Sequence, residues 1–462
     1  MRQEWVGKRV LIIGAARQGL ASARFLARNG AIVTINDHRT ESELQPALDS
    51  LDKFDIKWVT GSHPLDLLNS TDSVCISGGV PLDLPIIVEA SRKGIPLIND
   101  TQLFMEMAPC RTIGITGSAG KTTTTSILGN IAKKHFIGRS DSVWVGGNIG
   151  DPLLNHIDQV KPDDLAVMEI SSFQLEQMTI SPDIAVILNI TPNHLDRHKT
   201  MDAYISAKSR IVAFQGKDAV AILGRDDPIC WSLRKKIKGR LLSFGFSPLE
   251  NSDVGMDLRE GKLIFQDGSR LREIIDVSKI HLRGDHNKLN IMAACLAALV
   301  IGASDETIVS DIDEFRGVPH RLEFIRTWKN TEWYDDSIAT TPERTLAAIR
   351  SFNEPLVLLL GGRDKDLPWE DLVDLIQQQV RLVVLFGEAS ELIYQALNKI
   401  PADTRNFNIE KCNSLHDAVL KTSDLVIDGD VVLLSPGGTS FDEFRDFEER
   451  GERFQQWVQE LS

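Results

Sequence analysis

The chain has 462 residues, with 51 Lys+Arg against 65 Asp+Glu and a formal net charge of −14. That length is too great for one ordinary core and predicts two or three domains. A hydrophobic content of 42% and a charged content of 25% are ordinary for a soluble globular protein, and the acidic balance weighs against general nucleic-acid binding, which needs a basic face.

Three segments each open on a strand-like apolar run. The first begins with Val10-Leu11-Ile12-Ile13-Gly14. A helix over 20–28, Gly30 and a strand over 31–35 ending at Asn36-Asp37 complete a βαβ unit, with further strands at 73–76 and 97–98. Pro96 and Pro109 bracket the exit from this segment. The second segment carries buried-strand patterns at 165–169 and 184–189, a polar stretch over 247–276 expected to form edge hairpins, and a long helix over 287–301. Arg316-Gly317-Val318-Pro319 reads as a linker. The third segment repeats the alternation, with strands at 356–360, 382–386 and 431–434, each followed by glycines where open α/β sheets place ligands.

Cys75, Cys110, Cys230, Cys295 and Cys412 lie far apart and form no metal or disulfide pattern, so they read as small core residues. The start of the chain is a poor signal peptide, its apolar run being broken by Arg17. The longest uncharged apolar run, 291–304, is too short to span a bilayer. These features predict a cytoplasmic protein without membrane insertion.

The most informative stretch is Thr116-Gly117-Ser118-Ala119-Gly120-Lys121-Thr122-Thr123, which follows a buried strand and opens a helix. Glycines let backbone amides close around phosphate oxygens, Lys121 supplies positive charge, and the Thr122 hydroxyl suits a magnesium ion. The pattern predicts binding of ATP or GTP. Glu169, at the end of the 165–169 strand, is the carboxylate expected to complete the metal shell. It also precedes Ser171-Ser172, which looks like a helix start. Past the next strand, Asn189-Ile190-Thr191-Pro192-Asn193-His194-Leu195-Asp196-Arg197-His198 is a His/Asp/Arg-rich loop at a strand end, where sites gather. Lys208, on a helix around 204–211, reads from the sequence as a surface lysine.

The first segment has Gly14 and Gly19 spaced like a dinucleotide fingerprint, but Ala16 stands where the middle glycine belongs. Asp37 could accept from a ribose or uridine hydroxyl, Arg17, Gln18 and Arg39 could hold a diphosphate, and Ser77-Gly78-Gly79 could add backbone donors. The site suits a nucleotide diphosphate better than a nicotinamide cofactor. A purely structural βαβ unit is the alternative.

Taken together, the chain resembles the Mur ligase family along its whole length. The resemblance rests on the phosphate loop, Gly146-Gly147-Asn148-Ile149-Gly150, Glu169 to Glu176, Asn193 to Arg197, Gly284-Asp285-His286-Asn287 with Asn290, Pro319-His320-Arg321, Asp336-Ser337, and Ser435-Pro436 through Phe447-Glu448. It implies an α/β fold of three domains: a Rossmann-like UDP-substrate domain over 1–108, a central P-loop ATPase-type sheet over 109–317, and a Rossmann-like amino-acid domain over 318–462. The implied reaction is an ATP-dependent amide ligation through an acyl phosphate, in peptidoglycan synthesis. It joins glutamate to UDP-N-acetylmuramoyl-L-alanine in a cytoplasmic, monomeric enzyme.

By the same resemblance, Asn148 and Ser171 touch the UDP substrate, and Asn287, Asn290, Arg321 and Asp336 surround ATP, with Arg321 arriving on domain closure. Two magnesium ions are implied, with Lys208 carbamylated and helping to hold the second beside His194. Thr340, Lys365, Ser440, Phe441 and Phe447 would form the glutamate pocket. One departure stands out. Many D-glutamate-adding members carry a carboxylate-binding lysine where this chain has Ile338, and Pro436 to Ser440 also differs. Either Lys365, Arg363 or Thr340 takes over that carboxylate, or the amino acid differs, L-glutamate being the alternative. A folylpolyglutamate-type ligase fits less well, because about a hundred residues precede the phosphate loop. A non-catalytic nucleotide switch is opposed by Lys121, Glu169, His194 and Lys208.

Overall fold

The computed structural model describes residues 4–138, 140–193, 195–250, 252–365 and 367–462, the side chains of Leu195 and Asp196 excepted. Contacts divide the chain into two units, Met1–Ile280 with Asp285–Glu314, and His281–Gly284 with Phe315–Ser462.

The first unit holds two sheets. Strands β1 (Arg9–Ile13), β2 (Ile32–Asp37), β3 (Ile56–Thr60), β4 (Ser73–Ile76) and β5 (Leu97–Ile98) form a parallel sheet in the order β3-β2-β1-β4-β5. Its inner strands are apolar on both faces. Val10, Ile12 and Val33 enter one core cluster, while Leu11, Ile13 and Val74 enter another on the opposite side. Continuous apolar strands are what a parallel sheet covered on both faces requires. The helix Arg17–Arg28 packs close to β1 because Gly19 has no side chain: a Cβ there would lie 2.0 Å from the Gly14 carbonyl oxygen. The two fingerprint glycines therefore already have a packing reason.

The second sheet comprises β6 (Arg111–Thr116), β7 (Val143–Gly147), β8 (Leu165–Glu169), β9 (Ile184–Ile187), β10 (Val220–Gly224), β11 (Arg240–Phe244), β12 (Val254–Arg259), β13 (Lys262–Asp267) and β14 (Arg270–Asp276). Their order is β14-β13-β12-β11-β10-β9-β6-β8-β7. The polar 247–276 stretch supplies the antiparallel edge β12–β14, where one face is free to be polar. The predicted long helix spans Asp285–Val300, and nine of its residues, Asn290 to Ala298, are buried without a break. Among the described residues, no helix is long and apolar enough to cross a membrane.

The second unit holds β15 (Glu323–Trp328), β16 (Thr331–Asp335), β17 (Leu356–Gly361), β18 (Val380–Phe386), β19 (Asn408–Lys411) and β20 (Val431–Gly437), ordered β15-β16-β20-β17-β18-β19. Only β15 runs antiparallel to its neighbour. Alternate residues of β17 again feed separate cores, Leu356, Leu358 and Leu360 on one face and Val357 and Leu359 on the other.

Candidate functional site

The topology places β6 between β9 and β8. The three strands are parallel, so Thr116, Glu169 and Asn189 emerge at the same end of the sheet, where open α/β sheets bind ligands. The turn from Thr116 to the helix Lys121–His135 is braced from both sides. The Ser118 amide donates to the Asn189 carbonyl at 3.0 Å, the Ala119 amide to Asn189 Oδ1 at 2.9 Å, and the Ser118 hydroxyl bonds the Thr191 carbonyl and Tyr204 hydroxyl, each at 2.9 Å. Bracing fixes the loop before any ligand arrives, which lowers the ordering cost of binding. The sequence places Asn189 at the head of the polar 189–198 loop and Tyr204 on the Lys208 helix, but gives neither a bracing role. Their role depends on which strand lies next to β6, and a single sequence does not give that.

Gly120 closes the loop with a φ of +85°, and a Cβ there would lie 2.1 Å from Asn290 Oδ1. The loop thus meets the Asp285–Val300 helix through Asn290, whose amide also donates to Asn287 Oδ1 at 3.0 Å. Gly120→Ala combines left-handed strain with this clash and is expected to cost about 1–3 kcal/mol, read as a lower denaturation midpoint.

Lys121 Nζ donates to the Gly117 carbonyl at 3.0 Å and more weakly to that of Ser118 at 3.4 Å. The Thr122 hydroxyl donates to Glu169 Oε2 at 2.8 Å, and Asn148 Nδ2 donates to Glu169 Oε1 at 2.9 Å. Asn148 reaches Glu169 because β7 lies beside β8, with Gly147 opposite Glu169. Ser171 caps a short helix: its hydroxyl accepts from the Gln174 amide at 3.2 Å, and Gln174 Oε1 accepts back from the Ser171 amide at 2.9 Å. Glu169 therefore ends a strand and a capped helix follows, as the sequence pattern of this stretch suggests.

Lys208 corrects the surface reading. It is 1% exposed, and Nζ donates to the Gly117 carbonyl at 2.8 Å and lies 3.4 Å from Thr116 Oγ1. Burial, reinforced by the Lys121 charge and opposed by Glu169, pushes the amine well below the usual lysine range. Tyr204, Lys208 and Ile211 recur at i, i+4 and i+7 on the helix Met201–Ala213 and are all buried. That spacing was the overlooked signal. His194 lies outside the described residues. His198 is buried instead, with Nε2 at 2.9 Å from the Ser172 hydroxyl and its ring stacked on Phe173.

In the N-terminal sheet, Asp37 is 4% exposed and accepts from the Ala15 amide at 2.8 Å. The Arg39 guanidinium holds it bidentately at 3.0 and 2.8 Å. Burial opposes ionisation here, but Arg39 and the Ala15 and Arg39 amides prevail and hold the carboxyl well below its usual value. Arg39 is thus already engaged by Asp37. Gln18 Oε1 accepts from the Gly78 amide at 2.9 Å, and the Ser77 hydroxyl accepts from the Gly19 amide at 3.2 Å. Gly79 has a φ of +91° with open space around it. Arg17 donates to the Gly150 carbonyl at 3.2 Å, so the first sheet's loops meet the loop that carries Asn148.

The second unit gathers the other sequence-predicted residues. Asp336 follows β16 and accepts from the Ser435 hydroxyl at 2.8 Å. Burial outweighs that bond and raises its pKa to about 7. Next to Arg321, His320 Nδ1 meets Asp335 at 2.7 Å, and the Gln455 amide bridges Asp335 and Glu323, each at 2.9 Å. Lys365 reaches Thr340 Oγ1 at 3.4 Å. Ser440 is buried, Phe447 is half-buried, and Phe441 is 60% exposed. Arg450, not foreseen, is wholly buried, and it bonds the Ser337 carbonyl at 2.8 Å and the Gly438 carbonyl at 3.1 Å.

Fold and loop together define a phosphate-loop α/β protein with a carboxylate and a buried lysine set around the loop. Three family models match in order: the Mur ligase MurD-like N-terminal domain over 8–99, the Mur ligase middle domain over 115–298, and the Mur ligase glutamate ligase domain over 320–438. The chain belongs to the Mur ligase family. It is 38% identical to a UDP-N-acetylmuramoylalanine--D-glutamate ligase of Koribacter versatilis, covering 99% of this chain and 98% of that one. It is 39% identical to one of Trichlorobacter lovleyi over 97% of each. Among solved structures, MurF ligase from Thermotoga maritima in complex with ADP shares the fold, with a TM-score of 0.56, 20% identity and full coverage of both chains. The UDP-N-acetylmuramate-alanine ligase MurC of the same organism has a TM-score of 0.56 at 19% identity, covering 98% of this chain and 99% of that one.

Proposed function

We propose that the protein joins D-glutamate to UDP-N-acetylmuramoyl-L-alanine at the expense of ATP. The observation that carries this reading is the full-length likeness to relatives bearing that name, at 38% and 39% identity. In this reading residues 1–108 bind the UDP moiety, 109–317 bind ATP, and 318–462 bring the amino acid. Asn148 and Ser171 face the UDP substrate.

The reaction has two displacements. A carboxylate oxygen of the alanyl group attacks the γ-phosphorus of ATP, the bond to the β-phosphate oxygen breaks, and ADP leaves an acyl phosphate. The glutamate amine then attacks the acyl carbon, loses a proton, and expels phosphate from a tetrahedral intermediate. The first step brings two anions together, so fixed positive charge must offset their repulsion. Lys121 meets that need at the phosphate loop. The Thr122 hydroxyl and Glu169 carboxylate, 2.8 Å apart, form an all-oxygen pair of the kind magnesium prefers. Magnesium, when bound, neutralises charge on the transferring phosphoryl group. Lys208, buried and held towards the neutral amine, can add to carbon dioxide, forming an N–C bond and releasing a proton to give a carbamate. Its position beside Gly117 would set that new anion next to the loop.

Phosphate release is expected with UDP-N-acetylmuramoyl-L-alanine, ATP and D-glutamate, and not with L-glutamate. Release with L-glutamate alone would transfer the reading to the other enantiomer, which Ile338 keeps in view. Release with neither would sink it.

A further inference from the structure

The 336–341 loop, which joins β16 to the helix Pro342–Ile349, gathers three cationic side chains. Arg450 donates to the Ser337 carbonyl at 2.8 Å, Arg344 donates through Nη1 to the Ile338 carbonyl at 2.9 Å, and Lys365 reaches the Thr340 hydroxyl at 3.4 Å. The acids of the region are unevenly shared. Asp442, Asp335 and Glu443 act on Arg450, whereas the charges acting on Lys365 are those of Arg344 and Arg450, both cationic. Arg363, the other cation close by, is held bidentately by Glu388 at 2.8 and 3.0 Å. Among the described residues, neither Arg344 nor Lys365 forms an ion pair, and the bond to Ile338 is the one hydrogen bond of the Arg344 side chain.

Two neighbouring cations without a carboxylate between them repel each other, and a bound anion converts that repulsion into attraction on both sides. A guanidinium with spare N–H groups offers the bidentate geometry that a carboxylate accepts, and a nearby ammonium adds a point charge. We infer that Arg344 is a specificity-determining residue: with Lys365 it grips the side-chain carboxylate of the incoming glutamate, supplying at this loop the charge that the apolar Ile338 cannot. The inference rests on the glutamate-ligase reading above.

Arg344 is exposed, so its replacement leaves the fold intact. Steady-state constants are to be measured for the wild type, Arg344→Ala, Arg344→Lys, and Arg344→Ala combined with Ile338→Lys. Arg344→Ala is expected to raise KM for D-glutamate about 10- to 100-fold, while KM for ATP and for the UDP substrate stays within about twofold. Preference for D-glutamate over D-glutamine, which lacks the charge, is expected to fall by the same factor. Arg344→Lys is expected to recover part of the loss, and Ile338→Lys in the alanine background most of it. An unchanged KM for glutamate in Arg344→Ala would overturn the inference. So would a loss shared equally by all three substrates, which marks a merely structural role. Wild-type enzyme that releases no phosphate with glutamate is a separate failure, that of the proposed function, and is read before any variant.

Discussion

Lys121→Ala is expected to lose turnover by at least about 10²–10³-fold, the range typical of removing one preorganised electrostatic contact at a developing charge. The reasoning starts from the loop. Lys121 Nζ donates to the Gly117 and Ser118 carbonyls at 3.0 and 3.4 Å, while the loop's bracing runs through Asn189, Thr191 and Tyr204. Its loss therefore removes charge without removing the scaffold. The effect reaches further than the phosphate. The Lys121 charge is, after burial, the next influence holding the Lys208 amine below its usual range. The alanine variant lets Lys208 keep a proton to higher pH, and a protonated amine cannot add carbon dioxide. Phosphate release at saturating substrates measures the loss, with thermal unfolding as the check on the scaffold. A variant with near-normal turnover and an unchanged melting curve would remove Lys121 from the reaction.

The fold was largely legible because its signals are local. Apolar runs ending in glycine mark β1, β17, β18 and β20 directly, and the polar 247–276 stretch reads as the edge hairpins it forms. The phosphate loop and Glu169 were legible for the same reason: strand, turn and helix follow one another in sequence, and a carboxylate ends a strand. Other strands were not marked. Leu241 and Trp58 are only partly buried, and the strands around them, β11 and β3, lack an unbroken apolar run. What stayed hidden in the site depends on distant packing. Nothing local says that Asn189 will reach across to Ala119, because that contact exists only once β9 lies beside β6. Arg450 shows the same limit more sharply. An arginine on a charged helix reads as solvated, yet here it is wholly buried and stitches the Ser337 and Gly438 loops together. Lys208 lies between these cases. Its spacing with Tyr204 and Ile211 was available, and the prior that lysines are exposed outweighed it.

Lys208→Ala is expected to lower turnover by about 10²-fold, and added formate or acetate is expected to restore part of it. Two roles for this lysine predict the same initial loss. As a structural prop, its ammonium ties the helix Met201–Ala213 to the loop through the Gly117 carbonyl at 2.8 Å, and alanine leaves a cavity and an unpaired carbonyl. As a carbamate, it carries an anion beside the phosphate loop, and alanine removes that anion. Small carboxylates separate the two. They can enter the space vacated by the side chain and supply negative oxygen donors, but they cannot rebuild a hydrogen bond donated to Gly117. The surroundings of the amine leave room for the second role. A buried ammonium facing Lys121 is held in an unfavourable place, since burial and like charge both act against it, with only Glu169 opposing them. Conversion to a carbamate reverses the sign of the group: the Lys121 interaction turns from repulsion into attraction and the Glu169 interaction from attraction into repulsion, which a bound magnesium ion would offset. Wild-type enzyme prepared free of carbon dioxide is then expected to lose activity and to regain it with bicarbonate, while Lys208→Ala ignores bicarbonate and responds only to the added carboxylate. An alanine variant that neither carboxylate improves, beside a wild type indifferent to bicarbonate, would leave Lys208 as the prop alone.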